Sequence, residues 1–154
     1  MIYMIDTCSL GLMRKEQFKT LLSSGLDFCF THIQRDEIEA YANERRRTEL
    51  STFLKNIVQV NTSITVWGQS RWNEAEWGDN EANDIYKIIN KELNDVYNNA
   101  EKKAKSNIND AIIATTAIKN GYTLITQDKN LKKIAKQVSP ELNVLSFEEF
   151  KKLK

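Results

Sequence analysis

Four short apolar runs, separated by longer stretches of helical period, constrain this chain more than anything else in it. They occupy residues 2–5, 26–30, 122–126 and 142–145. Gly25 precedes the second, Gly121 and Asp128 frame the third, and Pro140 precedes the fourth. Runs too short for helices and apolar at consecutive positions read as strands buried on both faces. Alternating with helices, they predict an α/β protein: a three-layer sandwich with a central parallel β-sheet flanked by helices. At 154 residues a single domain, 1–154, is expected, large enough to bury roughly 70% of the surface of its unfolded chain. One proline and five glycines leave no long flexible linker.

The helices announce their starts. Thr31 with Gln34 forms a capping box, so a helix is predicted from about His32, carrying Glu37 and Glu39. Ser146 with Glu149 repeats the pattern before the terminal helix. Ile85, Ile88, Ile89, Leu93, Val96, Tyr97 and Ala100 keep a 3.6-residue period, which predicts one amphipathic helix over residues 82–104. Residues 109–120 are apolar nearly all round and predict a buried helix with Gly121 at its C′ position.

Composition removes several classes of function. The longest mostly apolar run, residues 111–118, is broken by two threonines and falls far short of the ~20 residues of a membrane span. Met1 to Asp6 shows no basic n-region, so no signal peptide is expected. Cys8 and Cys29 have no metal-like spacing and His32 is the sole histidine, which argues against a zinc site or a Ser-His-Asp triad. A reduced, cytoplasmic protein is the expectation. The 22 Lys and Arg against 21 Asp and Glu give a net charge of +1. That excludes a globally basic coat for nucleic acid, but not a local acidic site beside a local basic rim.

Four acids sit where such an architecture concentrates chemistry. Asp6 follows the first strand, Asp128 follows the third apolar run, Asp110 lies in the expected first turn of the buried helix, and Glu37 lies in the helix after the second strand. Parallel strands bring their carboxyl ends to one edge, where ligands bind. Each acid also has a plain structural use. Asp128 can cap the helix over 129–137, Asp110 can pair with Asn107 at a helix start, Asp6 can close a turn, and Glu37 can sit on a solvated face. Together they favour a cation, because carboxylates about 4 Å apart repel by about 1–4 kcal/mol at effective dielectric constants of about 80 to 20. Oxygen ligands without His or Cys select Mg²⁺ or Mn²⁺, and such ions beside a phosphodiester activate water for hydrolysis.

Ile5-Asp6-Thr7-Cys8 with Leu10, Thr31-x-Ile33-x-x-x-Glu37-Ile38, Asn109-Asp110-Ala111-Ile112-Ile113-Ala114 and Leu124-Ile125-Thr126-Gln127-Asp128 occur in this order along most of the chain. Together they resemble the PIN-domain nucleases, among them the VapC-type toxins of toxin–antitoxin pairs. The resemblance implies a PIN-like sandwich, metal-dependent endoribonuclease activity, and Asp6, Glu37, Asp110 and Asp128 as catalytic and metal-binding acids holding Mg²⁺ or Mn²⁺. It also implies RNA as substrate and a small antitoxin as partner, and it admits a homodimer. The chain departs from the family pattern at Cys8, where many members carry Asn or Ser, and at Asn130, where many carry a further acid. A helical insertion over about 61–106 is longer than a compact member needs. A catalytically weak PIN-like module that binds RNA or protein is the alternative. A haloacid-dehalogenase-like phosphatase is disfavoured, because its second acid would fall at Cys8.

A polyanionic substrate needs positive flanks. Arg45, Arg46 and Arg47 cluster after Glu37, and residues 101–154 hold eleven lysines against six acids, among them Lys102, Lys103, Lys105, Lys129, Lys132, Lys133 and Lys136. Lys129, beside Asp128, is expected to touch substrate together with the three arginines. Trp67, Trp72 and Trp77 recur every five residues, about 500° apart on a helix, so no single face holds them. Packing of the insertion onto the body is their expected role; stacking of single-stranded bases is the alternative.

Overall fold

The β-type run at the N-terminus becomes the central strand of a five-stranded sheet. In the computed structural model, which describes residues 1–152, β1 (Ile2–Ile5) leads into helices α1 (Thr7–Leu12) and α2 (Lys15–Leu22). Strand β2 (Asp27–Phe30), helices α3 (His32–Glu39) and α4 (Glu44–Leu54), and the short strand β3 (Val58–Gln59) follow. The second half runs α5 (Asn80–Val96), α6 (Glu101–Asn120), β4 (Thr123–Ile125), α7 (Lys129–Val138), β5 (Val144–Leu145) and α8 (Phe147–Lys151). Lys154, counted in the lysine-rich final third, lies outside the described residues.

The strand order is β3-β2-β1-β4-β5 and every pairing is parallel. Successive side chains alternate between two cores. Tyr3, Ile5, Phe28, Phe30 and Ile125 join Leu10, Phe18, Phe53 and Phe150 on one face. Met4, Cys29, Leu124 and Val144 meet Ile89, Leu93, Ile112, Ile113 and Leu131 on the other. Helices therefore cover both faces, as the unbroken apolar runs predicted. Among the described residues no helix is long and apolar enough to cross a membrane.

The structure corrects the reading in several places. Strand β3 was not anticipated, because its two exposed residues present no apolar run. Residues 82–104 do not form one helix: α5 stops at Val96 and α6 starts at Glu101. Between them Asn98 and Asn99 adopt left-handed φ values of 51° and 53°. A hydrophobic period continues across such a turn; the Asn-Asn pair was the signal, because asparagine tolerates this conformation better than most residues. Asp110 consequently lies in the third turn of α6, not the first. Asn107 is no cap: its side-chain amide donates to Asn94 Oδ1 at 2.8 Å and ties α6 to α5.

Residues 60–79, expected to be helical, form an irregular loop with an isolated bridge between Thr62 and Ala75. Nor do the tryptophans of this loop pack onto the body. Trp67, Trp72 and Trp77 are 93%, 81% and 74% exposed. Arg45, Arg46 and Arg47 belong to α4, separated from the helix of Glu37 by a break at 40–43.

The α5–α6 turn supplies a first test. Asn99→Val places a β-branched residue in a left-handed conformation, so about 1–2 kcal/mol of stability, or ~2–8 °C in Tm, should be lost. Asn99→Gly should leave Tm unchanged or raise it. Equal melting of the two variants would show that the turn does not depend on this backbone conformation.

Candidate active site

The strand order reverses beside β1, whose neighbours are β2 and β4. This is the topological switch point at which open parallel sheets form a crevice beyond their strand ends. Asp6 follows β1 directly and its amide donates to Ile125 O at 3.0 Å, so the ends of β1 and β4 are held in step. Helix α3 enters from the end of β2, and α6 crosses the same edge. All four sequence-predicted acids, Asp6, Glu37, Asp110 and Asp128, line one cleft of about 650 Å³.

Each carboxylate except one is oriented by named donors. Asp6 caps α1 by accepting from Ser9 N at 2.7 Å, and its second oxygen accepts from the Thr126 hydroxyl. Asp128 caps α7 through Oδ1, accepting from Asn130 N at 2.7 Å and Leu131 N at 3.0 Å. Its Oδ2 accepts from the Tyr97 hydroxyl at 3.1 Å. Thr126 Oγ1 also accepts from Asp128 N at 3.0 Å, so one hydroxyl links the two aspartates. Glu37 accepts from Thr7 Oγ1 and from Asn109 Nδ2, the latter at 2.7 Å. The capping role and the cleft position of Asp6 and Asp128 thus coexist, because a carboxylate has more lone pairs than a cap uses.

Asp110 is the exception. No hydrogen bond to its carboxylate forms among the described residues, and it lies partly buried among the other three acids. Its pKa is pushed well above the ordinary carboxylate value, first by burial and then by the charges of Asp6, Glu37 and Asp128, with Lys103 opposing. Burial also raises Asp6, although its hydrogen bonds from Ser9 and Thr126 pull the other way. The Cys8 thiol at the cleft edge is pushed up by desolvation and by Asp6, Asp110 and Asp128.

The basic residues divide sharply. Lys102, Lys103 and Lys105 line the cleft, and the Lys103 ammonium lies 4.9 Å from the Tyr97 ring centroid. Lys129 is exposed and does not line it. Arg46 turns inward to the carbonyls of Leu10 at 2.8 Å and Gly11 at 3.0 Å, and also reaches that of Met13. Arg47 donates to Tyr41 O at 3.0 Å, and the exposed Arg45 pairs with Glu49 at 3.4 Å. The arginine cluster is therefore not brought to the acids; two of its members hold backbone together instead. Sequence reasoning gave no role to Thr7, Asn109, Thr126 or Tyr97. The first three stand inside the quoted motifs, beside the acids they serve. Tyr97 was absorbed into a helix period that hid the turn placing it.

The donor set suits a hard divalent cation: four carboxylates, with no imidazole and with the Cys8 thiol only at the edge. Among the described residues, however, no group of three or more His, Cys, Asp or Glu side chains is arranged closely enough to hold one ion. Glu37 in particular is turned onto Thr7 and Asn109. The residues fit the ion chemically, and side-chain rotation is required to close around it.

The electrostatics yield a prediction with a definite sign. A carboxyl whose folded pKa is raised contributes stability below its unfolded pKa and loses it as pH rises through the folded value. In the presence of chelator, stability should therefore fall as pH rises out of the acid range. Asp110→Asn should raise Tm at neutral pH and flatten that dependence. A lower Tm for Asp110→Asn in chelator, at every pH, would show that Asp110 is not electrostatically strained.

A family model described as PIN domain matches residues 29–137, more than two-thirds of the chain, a span that contains Glu37, Asp110 and Asp128. Asp6 lies outside that span and joins the others through the pairing of β1. No curated protein matches. The crystal structure of FitAcB from Neisseria gonorrhoeae aligns over 94% of this chain and 96% of its own at 17% identity, with a TM-score of 0.47. The family match stands on its own, and the chain belongs to the PIN-domain family, whose members are generally nucleases.

Proposed function

We propose that this protein is a metal-dependent endoribonuclease that hydrolyses RNA phosphodiester bonds, with Asp6, Glu37, Asp110 and Asp128 holding Mg²⁺ or Mn²⁺. The observation that carries the reading is Asp110: a carboxylate without a hydrogen-bond donor among the described residues, placed among three other acids. Such a group is stabilised as an anion only by a nearby cation. When bound, the ion would supply Lewis acidity toward the phosphate and a more acidic water.

The protein's own residues supply the rest. Asp6 and Asp128 would be the principal ligands, and Thr126 holds them in register. Glu37 and Asp110 would complete the cluster and orient the attacking water, with Glu37 released from Thr7 and Asn109, which hold it in the bare protein. Lys102, Lys103 and Lys105 neutralise backbone phosphates at the cleft wall, and Lys129 extends that positive surface outside it. A cytoplasmic toxin of a toxin–antitoxin pair, alone or as a homodimer, fits this reading. Its antitoxin would then block the acids with an arginine, since guanidinium pairs bidentately with carboxylates.

A second reading has its own support. The acids do not converge on one point, and Asn130 donates to the Tyr97 hydroxyl at 3.3 Å where many family members have an acid. A PIN-like module that binds RNA or protein without cleaving it would have these features.

Cleavage of single-stranded and structured RNAs in Mg²⁺, Mn²⁺ or chelator separates the two. Hydrolysis should require an ion and drop by about 100-fold or more in Asp6→Asn and Asp110→Asn, the loss expected when Lewis-acid stabilisation of several kcal/mol disappears. Hydrolysis that survives chelation and both substitutions would remove the metal mechanism. No hydrolysis, together with no Mn²⁺ heat in calorimetry, would establish the binding-module reading.

A further inference from the structure

The loop over residues 60–79 carries a feature that the acids do not use. Three tryptophans stand almost fully exposed on it, at 93%, 81% and 74% for Trp67, Trp72 and Trp77. An exposed cluster of large apolar side chains commonly marks a binding surface. Here Trp67, Trp72 and Trp77, with Val66 and Arg71, line a pocket of about 230 Å³. That is smaller than the ~300–1,000 Å³ of sites for drug-sized ligands, and suits a single flat ring system. Trp72 and Trp77 meet edge to face, their ring centroids 6.0 Å apart.

The loop beneath these rings is firmly built. His32, fully buried, places one ring nitrogen 3.1 Å from Glu74 O and the other 3.2 Å from Gln69 O. Arg35 grips Glu74 bidentately at 2.6 and 2.8 Å, which holds the Glu74 carboxyl down at about 2. Thr62 N donates to Glu74 O at 3.1 Å and Glu76 N to Thr62 O at 2.8 Å. Gly78 crosses so close that an added Cβ would meet Ser63 O at 3.1 Å. The rings are thus presented on a fixed support, which lowers the ordering cost of binding.

Position names the occupant. Gly68 lines both the tryptophan pocket and the acid cleft, and Gln69 beside it lines the cleft as well. Arg71, on the pocket wall, donates at 2.9 Å to Asp36, which lines the cleft. A strand whose phosphate lies among the acids and Lys102, Lys103 and Lys105 would carry a neighbouring base onto this pocket. Indole faces accept every base, and a paired base has no free face to offer.

We propose that Trp67, Trp72 and Trp77 form a stacking subsite for an unpaired nucleobase of the RNA strand whose phosphate occupies the acid cleft, so that the enzyme selects single-stranded or looped RNA. The proposal rests on the nuclease reading and adds to it a base-binding subsite on the 60–79 loop. Tryptophan fluorescence is the direct readout. With chelator present to prevent hydrolysis, oligoadenylate or oligouridylate should quench the emission, and a fully paired duplex of equal length should not.

Trp72→Ala and Trp77→Ala should each weaken single-strand binding by about 5- to 150-fold, the span corresponding to ~1–3 kcal/mol per stacked base. Trp→Phe at the same positions should restore part of it. The exposed rings contribute little to the core, so unchanged Tm in these variants serves as the folding control. Equal quenching by duplex and single strand, or unchanged affinity in both alanine variants, overturns the subsite. So does self-association of the wild type that the alanine variants abolish while RNA binding stays intact; the pocket would then be an interface between two copies. Binding of a small protein partner that depends on the tryptophans, with RNA affinity unaltered, overturns it equally. The nuclease reading fails separately: quenching without hydrolysis in any ion leaves the subsite standing, whereas hydrolysis of single strands unaffected by the alanine variants leaves only the nuclease.

Discussion

Parallel pairing of β1 with both β2 and β4 is the constraint on which the rest of this molecule depends. It places the carboxyl ends of three strands side by side, and the chain leaves each of them toward the same crevice. The residues at those exits are Asp6 after β1, Thr31 after β2 and Thr126 after β4. All three cap or close local structure, and Asp6 and Thr126 also organise the cleft. Thr126 shows the coupling most clearly, since its hydroxyl donates to Asp6 and accepts from the amide of Asp128. The register of two strands is thereby transmitted to two carboxylates 122 residues apart in the chain.

Gathering like charges in this way is costly to the bare protein, and the fold meets that cost unevenly. Asp6 and Asp128 draw on helix N-termini, whose unpaired amides favour anions. Glu37 is held by a hydroxyl and an amide side chain. Asp110 has only the attraction of Lys103 against three like charges and partial burial. Stability and function pull in opposite directions at such a position, a common condition of active sites. The net charge of +1 conceals this arrangement, because it sums an acidic crevice, a lysine-lined wall and arginines that are spent on backbone carbonyls.

Much of the sheet was legible in the sequence, because strands buried on both faces leave continuous apolar runs that no surface constraint dilutes. Asp6 and Asp128 were legible for a related reason: each stands where the chain leaves a strand, so its place at the sheet edge follows from topology, whereas Glu37 and Asp110 lie inside helices and were marked only by the motifs around them. Strand β3 was not legible, being two exposed residues long. The α5–α6 break was hidden by a hydrophobic period that does not register a two-residue left-handed turn. Arg46 shows a further limit. A surface-type residue in a basic run was read as a rim charge, yet its guanidinium satisfies carbonyls at the end of α1, a contact thirty-six residues distant that no local pattern encodes. The tryptophans failed in the opposite direction, since composition alone favours burial of indoles and only the fixed loop around His32 shows why these remain outside.

The central claim is that Asp6, Glu37, Asp110 and Asp128 form one cation-binding cluster. Anomalous diffraction from crystals grown with Mn²⁺ tests it most directly. The expected result is an anomalous peak within the cleft, ligated by Asp6 and Asp128 and joined by Asp110 or Glu37, with Glu37 turned away from Thr7 and Asn109. Saturating Mn²⁺ with no peak among these carboxylates, and Glu37 still bound to Thr7 and Asn109, would contradict it.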